Sequence, residues 1–147
     1  SELGFFGLIF VILISYITNF FVPHGYIHNI VIISIGIISF LLFLLKSKFD
    51  NFYFKLTLIV FSILFIGILL YKNHDDFFYY HFPYTLSIIE QKKIIGIGHL
   101  EHGFRTPSSI FYLNSLFYLP FIKLSLINMG AIFYMGFSNI FFFRKNF

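Results

Sequence analysis

Residues 29–45 of the chain read NIVIISIGIISFLLFLL and are followed directly by Lys46. None of these residues is charged, and most are aliphatic or Phe. A helix that crosses a lipid bilayer needs roughly 20 predominantly apolar residues, with a range of about 17–25. The stretch therefore predicts a transmembrane helix, and it makes lipid the solvent to consider for the whole chain.

The overall composition agrees with this prediction. Apolar residues make up 59% of the 147 residues and charged residues 11%, and the mean hydropathy is +0.88. Soluble domains are about 45–50% apolar and about a quarter charged. A soluble globule of this size would expose one continuous apolar patch. We therefore predict an all-α fold, a polytopic transmembrane helical bundle.

Four apolar stretches qualify as membrane helices or come close. In chain order they are Leu3–Val22, Asn29–Leu45, Phe54–Tyr71 and Leu126–Phe143. Lys46, Lys48 and Lys55 cluster in the second connection, which the positive-inside rule assigns to the cytoplasm. The first connection and residues 72–125 are then expected on the outer side. We further expect residues 1–147 to be a single transmembrane fragment, whose partners include the remaining helices of a longer parent chain.

The stretch Pro107–Ile122 is short for a span and contains several polar residues and Pro120. We predict an amphipathic helix at the outer interface, with Thr106 as its cap and Pro107 in its first turn. A fifth span is the alternative, but it would place the basic residues after Phe143 outside. Asn114 within this stretch is predicted to be a buried hydrogen-bonding residue.

A first polar cluster follows the third predicted span and begins with Asp75 and Asp76. Ionisable residues at a membrane boundary are costly unless they are solvated, paired or functional. Adjacent carboxylates can provide a general base, or can hold a divalent cation through oxygen ligands. His81 follows Asp76 within reach if the segment is helical. The alternative is a pair of solvated loop acids beside an aromatic interface belt.

A second cluster reads GIGHLEHGFRTP over residues 96–107. Its glycines allow close backbone approach. His99, Glu101 and His102 are metal-type ligands, but their spacing matches no zinc motif. Arg105 can bind phosphate or carboxylate through two parallel hydrogen bonds. The alternative is that it pairs with Glu101 or with lipid headgroups.

The remaining composition excludes some chemistries. The chain has no Cys, so disulfides, thiolate catalysis and Cys-ligated metal sites are absent. The formal net charge of +4 does not indicate nucleic-acid binding, because the basic residues lie at the ends of apolar runs. Lys92 and Lys93 are predicted to form a solvated turn, which could also contact anionic headgroups.

Together the two clusters carry a longer pattern. An apolar helix precedes Asp-x-x-x-Tyr-His-x-Pro, and a Gly-x-Gly-x-Leu segment, a Ser-Ser pair and an aromatic helix follow. The matching residues are Asp76, Tyr80, His81, Pro83, Gly96, Gly98, Leu100, His102, Phe104, Ser108 and Ser109. In this region the chain resembles bacterial polytopic proteins of the GT-C glycosyltransferase type.

The resemblance implies a function. Such enzymes move a sugar from a polyprenyl-phosphate-linked donor to a surface glycan or lipid acceptor, on the outer face of the bacterial inner membrane. Asp76 would deprotonate the acceptor hydroxyl, and Asp75 would shape its pKa or help to bind a divalent cation. His81 and Arg105 would contact the donor phosphate. The other candidate substrate-binding residues are Tyr80, His99, Glu101 and His102.

Two other functions remain open, a membrane transporter and a non-catalytic scaffold of surface-polysaccharide assembly. A transporter is expected to carry ionisable or helix-breaking residues within its spans. The interiors of the four predicted spans contain no charged residue, which counts against a transport path.

Overall fold

The computed structural model describes residues 2–46, 51–70, 75–100, 102–105 and 107–146, with only the backbone given for residues 2, 100, 102 and 144–146. The described chain is helical and contains no β-strand. Its α-helices are α1 (Glu2–Asn19), α2 (Tyr26–Lys46), α3 (Asn51–Leu70), α4 (His81–Glu90), α5 (Ile97–Leu100), α6 (Ser109–Ser115) and α7 (Met129–Asn146). Two 3-10 turns lie at Asp75–Phe77 and His102–Phe104. The all-α prediction is confirmed.

Two of the described helices, α2 and α3, are long and apolar enough to cross a membrane, at 21 and 20 residues. No residue of α3 is buried, and Asn29 is the one buried residue of α2. A core helix of a soluble protein would be buried along most of its length. These exposed apolar helices therefore fit a membrane protein. The apolar stretches of α1 and α7, Leu3–Asn19 and Met129–Phe143, fall short of that length.

The long helices α1, α3 and α7 pack through aromatic side chains. Phe61 of α3 lies edge-on to Phe137 of α7, with ring centroids 5.2 Å apart. The Phe137 ring also covers Gly4 of α1, where a Cβ atom would lie 2.5 Å from it. Phe5 and Phe141 stack at 5.6 Å. The first turn of α1 thus meets the C-terminal half of α7, so these two helices run antiparallel.

The short helices α4 and α6 form a layer at the other end of α1. Tyr84 and Ile88 of α4 share a buried cluster with Phe111 and Tyr112 of α6. A second buried cluster joins the far side of α6 to Leu8 of α1. The helix α6 is therefore wedged between α4 and the long helices. We call this end of the molecule, formed by residues 19–29 with α4 and α6, the capped end.

The predicted interfacial helix Pro107–Ile122 is wrong in both length and setting. Only Ser109–Ser115 is helical, and Phe111 to Ser115 are all buried against protein. Seven residues rise about 10 Å, which is also too short for the alternative fifth span. Ser108 occupies the N-cap position, and the predicted cap Thr106 lies outside the described residues.

The chain after α6 turns back on itself rather than continuing as a helix. Leu119 and Lys123 pair across a single bridge, and Phe121 and Lys123 both have positive φ angles. Pro120 lies inside this turn, and proline has no N–H with which to continue a helix. The turn ends the helical region well before Ile122.

Candidate functional site

The two predicted acids lie in the 3-10 turn Asp75–Phe77, and both are exposed. The backbone carbonyl of Asp76 accepts hydrogen bonds from the N–H groups of Tyr79 and Tyr80, at 3.2 and 3.3 Å. The Tyr80 carbonyl in turn accepts the N–H of Tyr84 in α4. These bonds connect the backbone of the acidic turn to α4 and leave both carboxylates at the surface.

Tyr80 and His81 pack against the buried layer. The ring centroids of His81 and Phe111 are 5.2 Å apart, and those of Tyr80 and His81 are 4.3 Å apart. His81 is the first residue of α4, and its side chain is half-buried. The His81 ring therefore packs against α6 through Phe111.

The glycine-containing segment folds onto the same layer. A Cβ atom on Gly103 would lie 2.6 Å from the Cβ of Tyr80, so the two backbones are in close contact. The Phe104 ring lies edge-on to Tyr84 at 5.3 Å. The structure thus brings the two predicted clusters together at Tyr80, Gly103 and Phe104. The spacing of the two clusters along the sequence did not predict that they would be in contact.

Among the candidate polar side chains of that segment, the structure describes those of His99 and Arg105. The Arg105 Nε donates to the Gly98 carbonyl at 3.2 Å, which closes the segment into a loop. Gly96 begins this loop with a φ of +85°, a conformation that favours glycine. His99 is exposed. Glu101 and the side chain of His102 lie outside the described residues.

The most buried polar side chains among the described residues lie around His24, which the sequence did not single out as a site. The His24 side chain is fully buried, and its Nδ1 lies 2.7 Å from the Ser115 hydroxyl oxygen. Its Nε2 lies 3.0 Å from the Ser15 carbonyl oxygen. The His24 backbone N–H donates to the Ile88 carbonyl at 2.9 Å. One histidine thus connects α1, α4 and α6.

The His24 imidazole is neutral in this setting. Burial, together with the neighbouring His28, lowers the pKa of His24 to about 3, against a weaker opposing effect of its hydrogen bond to Ser15. A neutral ring carries one N–H, and the Ser15 carbonyl can only accept. The ring proton therefore fits Nε2, and the single proton of the Ser115 hydroxyl has two acceptors within reach, Nδ1 and the Tyr112 carbonyl at 2.8 Å.

Asn29 and Asn19 extend the network. The buried Asn29 Nδ2 lies within hydrogen-bond distance of three carbonyl oxygens, those of His24 (2.8 Å), Ser115 (2.8 Å) and Tyr118 (2.9 Å). The Asn19 Nδ2 donates to two carbonyls at the C-terminal end of α4, those of Ile88 and Gln91. The ends of α1 and α2 that flank the first predicted connection are thus hydrogen-bonded to the predicted outer segment at the capped end.

A sequence signal for this network did exist. Polar residues are concentrated around the first connection, between two long apolar stretches. They are Ser15, Thr18, Asn19, His24, His28 and Asn29. Polar groups at such a boundary require partners. Their partners could not be named, because they lie some 69 to 91 residues away along the chain.

Two further sequence expectations concern Asn114 and a metal. Asn114 is buried, and its Oδ1 accepts the Gly130 N–H at 2.9 Å, which confirms the predicted hydrogen-bonding role.

Within the described ranges, no three His, Asp or Glu side chains form a group that could hold a metal ion. The suggested cation ligand Glu101 is not among the residues described.

No protein-family model, curated protein or solved structure matches this chain. The fold defines the class of protein. In its described residues the chain is all-helical, and two of its exposed apolar helices fit a membrane. At the capped end, Tyr80, which follows the acidic turn, and Phe104 of the glycine-containing segment pack against one buried layer.

Proposed function

We propose that this chain belongs to a membrane glycosyltransferase of the GT-C type, which takes its sugar from a polyprenyl-phosphate-linked donor. One observation carries the proposal. The segment after Asp76 and the segment before Arg105 resemble parts of a GT-C site, and they are in direct contact through Tyr80 and Gly103. Two motifs that belong to one site are expected to meet in this way.

The exposed acids suit the proposed chemistry. The Asp76 carboxylate takes the proton of the acceptor hydroxyl, and the hydroxyl oxygen bonds to the anomeric carbon. The bond from that carbon to the donor phosphate breaks, and polyprenyl phosphate leaves. Asp75 adds a second carboxylate beside Asp76, which helps to hold a divalent cation in this proposal. His81 and Arg105 contact the donor phosphate in this proposal.

The proposed setting is the inner membrane of a bacterium, with four crossings and the capped end on the outer face. His24, in the first predicted connection, is hydrogen-bonded to Ile88 and Ser115 of the predicted outer segment, which supports this arrangement because connections on opposite faces could not be hydrogen-bonded. A polyprenyl-linked donor keeps its phosphate at headgroup level, so a site at the end of a bundle is accessible to it.

The donor class provides the test. Membranes that carry the protein are supplied with one labelled sugar, linked either to polyprenyl phosphate or to a nucleoside diphosphate. The proposal expects transfer from the lipid-linked donor alone, with release of polyprenyl phosphate. Transfer from the nucleotide donor in membranes depleted of polyprenyl phosphate would contradict it. Absence of transfer from a panel of lipid-linked sugars would favour the scaffold.

A further inference from the structure

Lys93 lies in a cage of three tyrosines at the capped end. Its Nζ donates hydrogen bonds to the hydroxyl oxygens of Tyr84, at 3.1 Å, and of Tyr112. The same atom lies 5.1 Å from the ring centroids of Tyr16 and Tyr112 and 5.7 Å from that of Tyr84. The Lys93 backbone N–H donates to the Asn19 carbonyl at 2.8 Å. The ammonium is thus held in place on several sides.

The charge in this cage has no negative partner among the residues that the structure describes. The hydrogen bonds found at Nζ go to two neutral phenols. Aromatic faces attract a cation, but they leave its charge in place. A half-buried ammonium that keeps its charge is stabilised further when an anion approaches it. The expected solvated turn thus holds for the exposed Lys92 and is wrong for Lys93.

The phenols that accept from Lys93 supply no negative charge. Burial, followed by the neighbouring Tyr84 phenol and a hydrogen bond to it, raises the pKa of Tyr112. The Tyr112 hydroxyl therefore keeps its proton and leaves the charge of Lys93 uncompensated.

A cleft opens directly beside the cage and has two kinds of lining. Lys92, Lys93 and Ser87 provide charge and hydrogen-bonding groups, and Ile94 and Ile97 provide an apolar wall. The enclosed part of the cleft has a volume of only about 10 Å³, which is room for about one water molecule. A headgroup would therefore lie across the open mouth of the cleft, beside the exposed side chains of Lys92 and Ile94.

We propose that this cleft binds the phosphate group of a lipid, with Lys92 and Lys93 at the phosphate oxygens and Ile94 and Ile97 along the start of the apolar chain. Two lysines beside a phenol hydroxyl match a phosphate ester, and the apolar wall matches a chain that continues into the bilayer. A glycerophospholipid and a polyprenyl phosphate share this chemistry. The proposal does not depend on sugar transfer, since it concerns binding alone.

The test measures lipid retained by purified protein. The protein in detergent is incubated separately with a phosphatidic acid, a polyprenyl phosphate and a zwitterionic phosphatidylcholine, and bound lipid is counted by native mass spectrometry. Inorganic phosphate is added as a competitor. The variants are Lys93→Gln, Lys92→Gln and Tyr112→Phe. The matched control is Lys123→Gln, which changes an exposed lysine outside the cleft lining.

We expect the two phosphate lipids to be retained in preference to phosphatidylcholine. Lys93→Gln should weaken retention about tenfold, because a charge-assisted contact is lost. Lys92→Gln should weaken it about fivefold, and the Lys123 control should bind as wild type. Preference for polyprenyl phosphate over phosphatidic acid would identify the lipid as a carrier, and equal binding would identify a general phosphate headgroup site.

Two results would overturn the proposal. One is equal retention by wild type and the Lys92→Gln variant, whose exposed side chain can be replaced without disturbing the fold. The other is full displacement of lipid by inorganic phosphate with no difference among lipids, which would make the site one for a soluble anion. Loss of sugar transfer in variants that still bind lipid normally would concern the proposed function instead.

Discussion

The imidazole rings of His24 and His28 lie face to face, with centroids 4.3 Å apart and planes within 6° of parallel. Two stacked imidazoles repel each other when both are charged, and the neighbouring His28 contributes, after burial, to the lowered pKa of His24. His24 is also buried against Ser115 and Ser15. The hairpin between α1 and α2 is therefore held by a histidine that must stay neutral.

The stability of the protein should fall as the pH is lowered. The pKa of His24 is lowered from 6.5 to about 3 on folding, so below pH 6.5 the unfolded chain takes up a proton that the folded chain does not. The contribution of neutral His24 to the free energy of unfolding is complete above pH 6.5. It is lost progressively as the pH falls toward about 3, the pKa of His24 in the folded protein. Between about pH 7 and about pH 5 the free energy of unfolding should fall by about 2 kcal/mol.

Thermal unfolding in detergent across this pH range provides the measurement, with His24→Gln as the control. Glutamine can replace both hydrogen bonds of the ring and does not titrate. The variant should show a flatter pH dependence than the wild type. A wild-type curve as flat as that of the variant would show that His24 is not the residue responsible.

Asn29→Ala should be among the most destabilising single substitutions. The side-chain amide is buried, and its Nδ2 lies within hydrogen-bond distance of the carbonyls of His24, Ser115 and Tyr118. Its removal leaves buried acceptors unsatisfied, which should cost about 3 kcal/mol.

Asn139→Ala is the matched control for Asn29. Asn139 is exposed, and its amide donates to Met135 within its own helix. The free energy of unfolding of the Asn139→Ala variant should stay within about 0.5 kcal/mol of the wild-type value. Chemical unfolding in mixed micelles measures both variants. Equal losses of stability would mean that the network at the capped end does not hold the fold together.

Gly103→Ala tests the contact between the two motifs. The added Cβ would lie 2.6 Å from the Cβ of Tyr80, and overpacking of this kind costs about 1–3 kcal/mol. Gly7→Ala is its control, since nothing lies within 4 Å of that position and alanine favours a helix. The melting temperature should fall for Gly103→Ala and stay level or rise for Gly7→Ala. A melting temperature unchanged by Gly103→Ala would place Gly103 away from Tyr80.

The long apolar helices are the part of the fold that the sequence predicts best. The predicted stretches Asn29–Leu45 and Phe54–Tyr71 correspond to α2 and α3 within about three residues, because continuous hydrophobicity leaves few alternatives to a helix in lipid. Caps and turns are decided by single residues. Pro120 and the positive φ angles at Phe121 and Lys123 end a helix that composition alone would extend to Ile122.

The site is predicted less completely, for a physical reason. The sequence picks out Asp75, Asp76 and His81 because charged and titratable residues stand out in an apolar chain. It does not pick out the Tyr84–Lys93–Tyr112 cage or the Asn29 network, since both are made by residues distant in sequence. The helix α4 was likewise unexpected, because its short run of mixed polarity gives no clear period.

The most direct test of the proposed function is sugar transfer by wild type against Asp76→Asn, in membranes supplied with a polyprenyl-phosphate-linked donor. Asp50→Asn, in the predicted cytoplasmic connection, is the matched control. Loss of a general base should lower the rate of transfer roughly 100-fold or more, with unchanged protein level and membrane insertion, while Asp50→Asn keeps wild-type activity. Transfer by Asp76→Asn at the wild-type rate would contradict the assignment of Asp76 as the catalytic base.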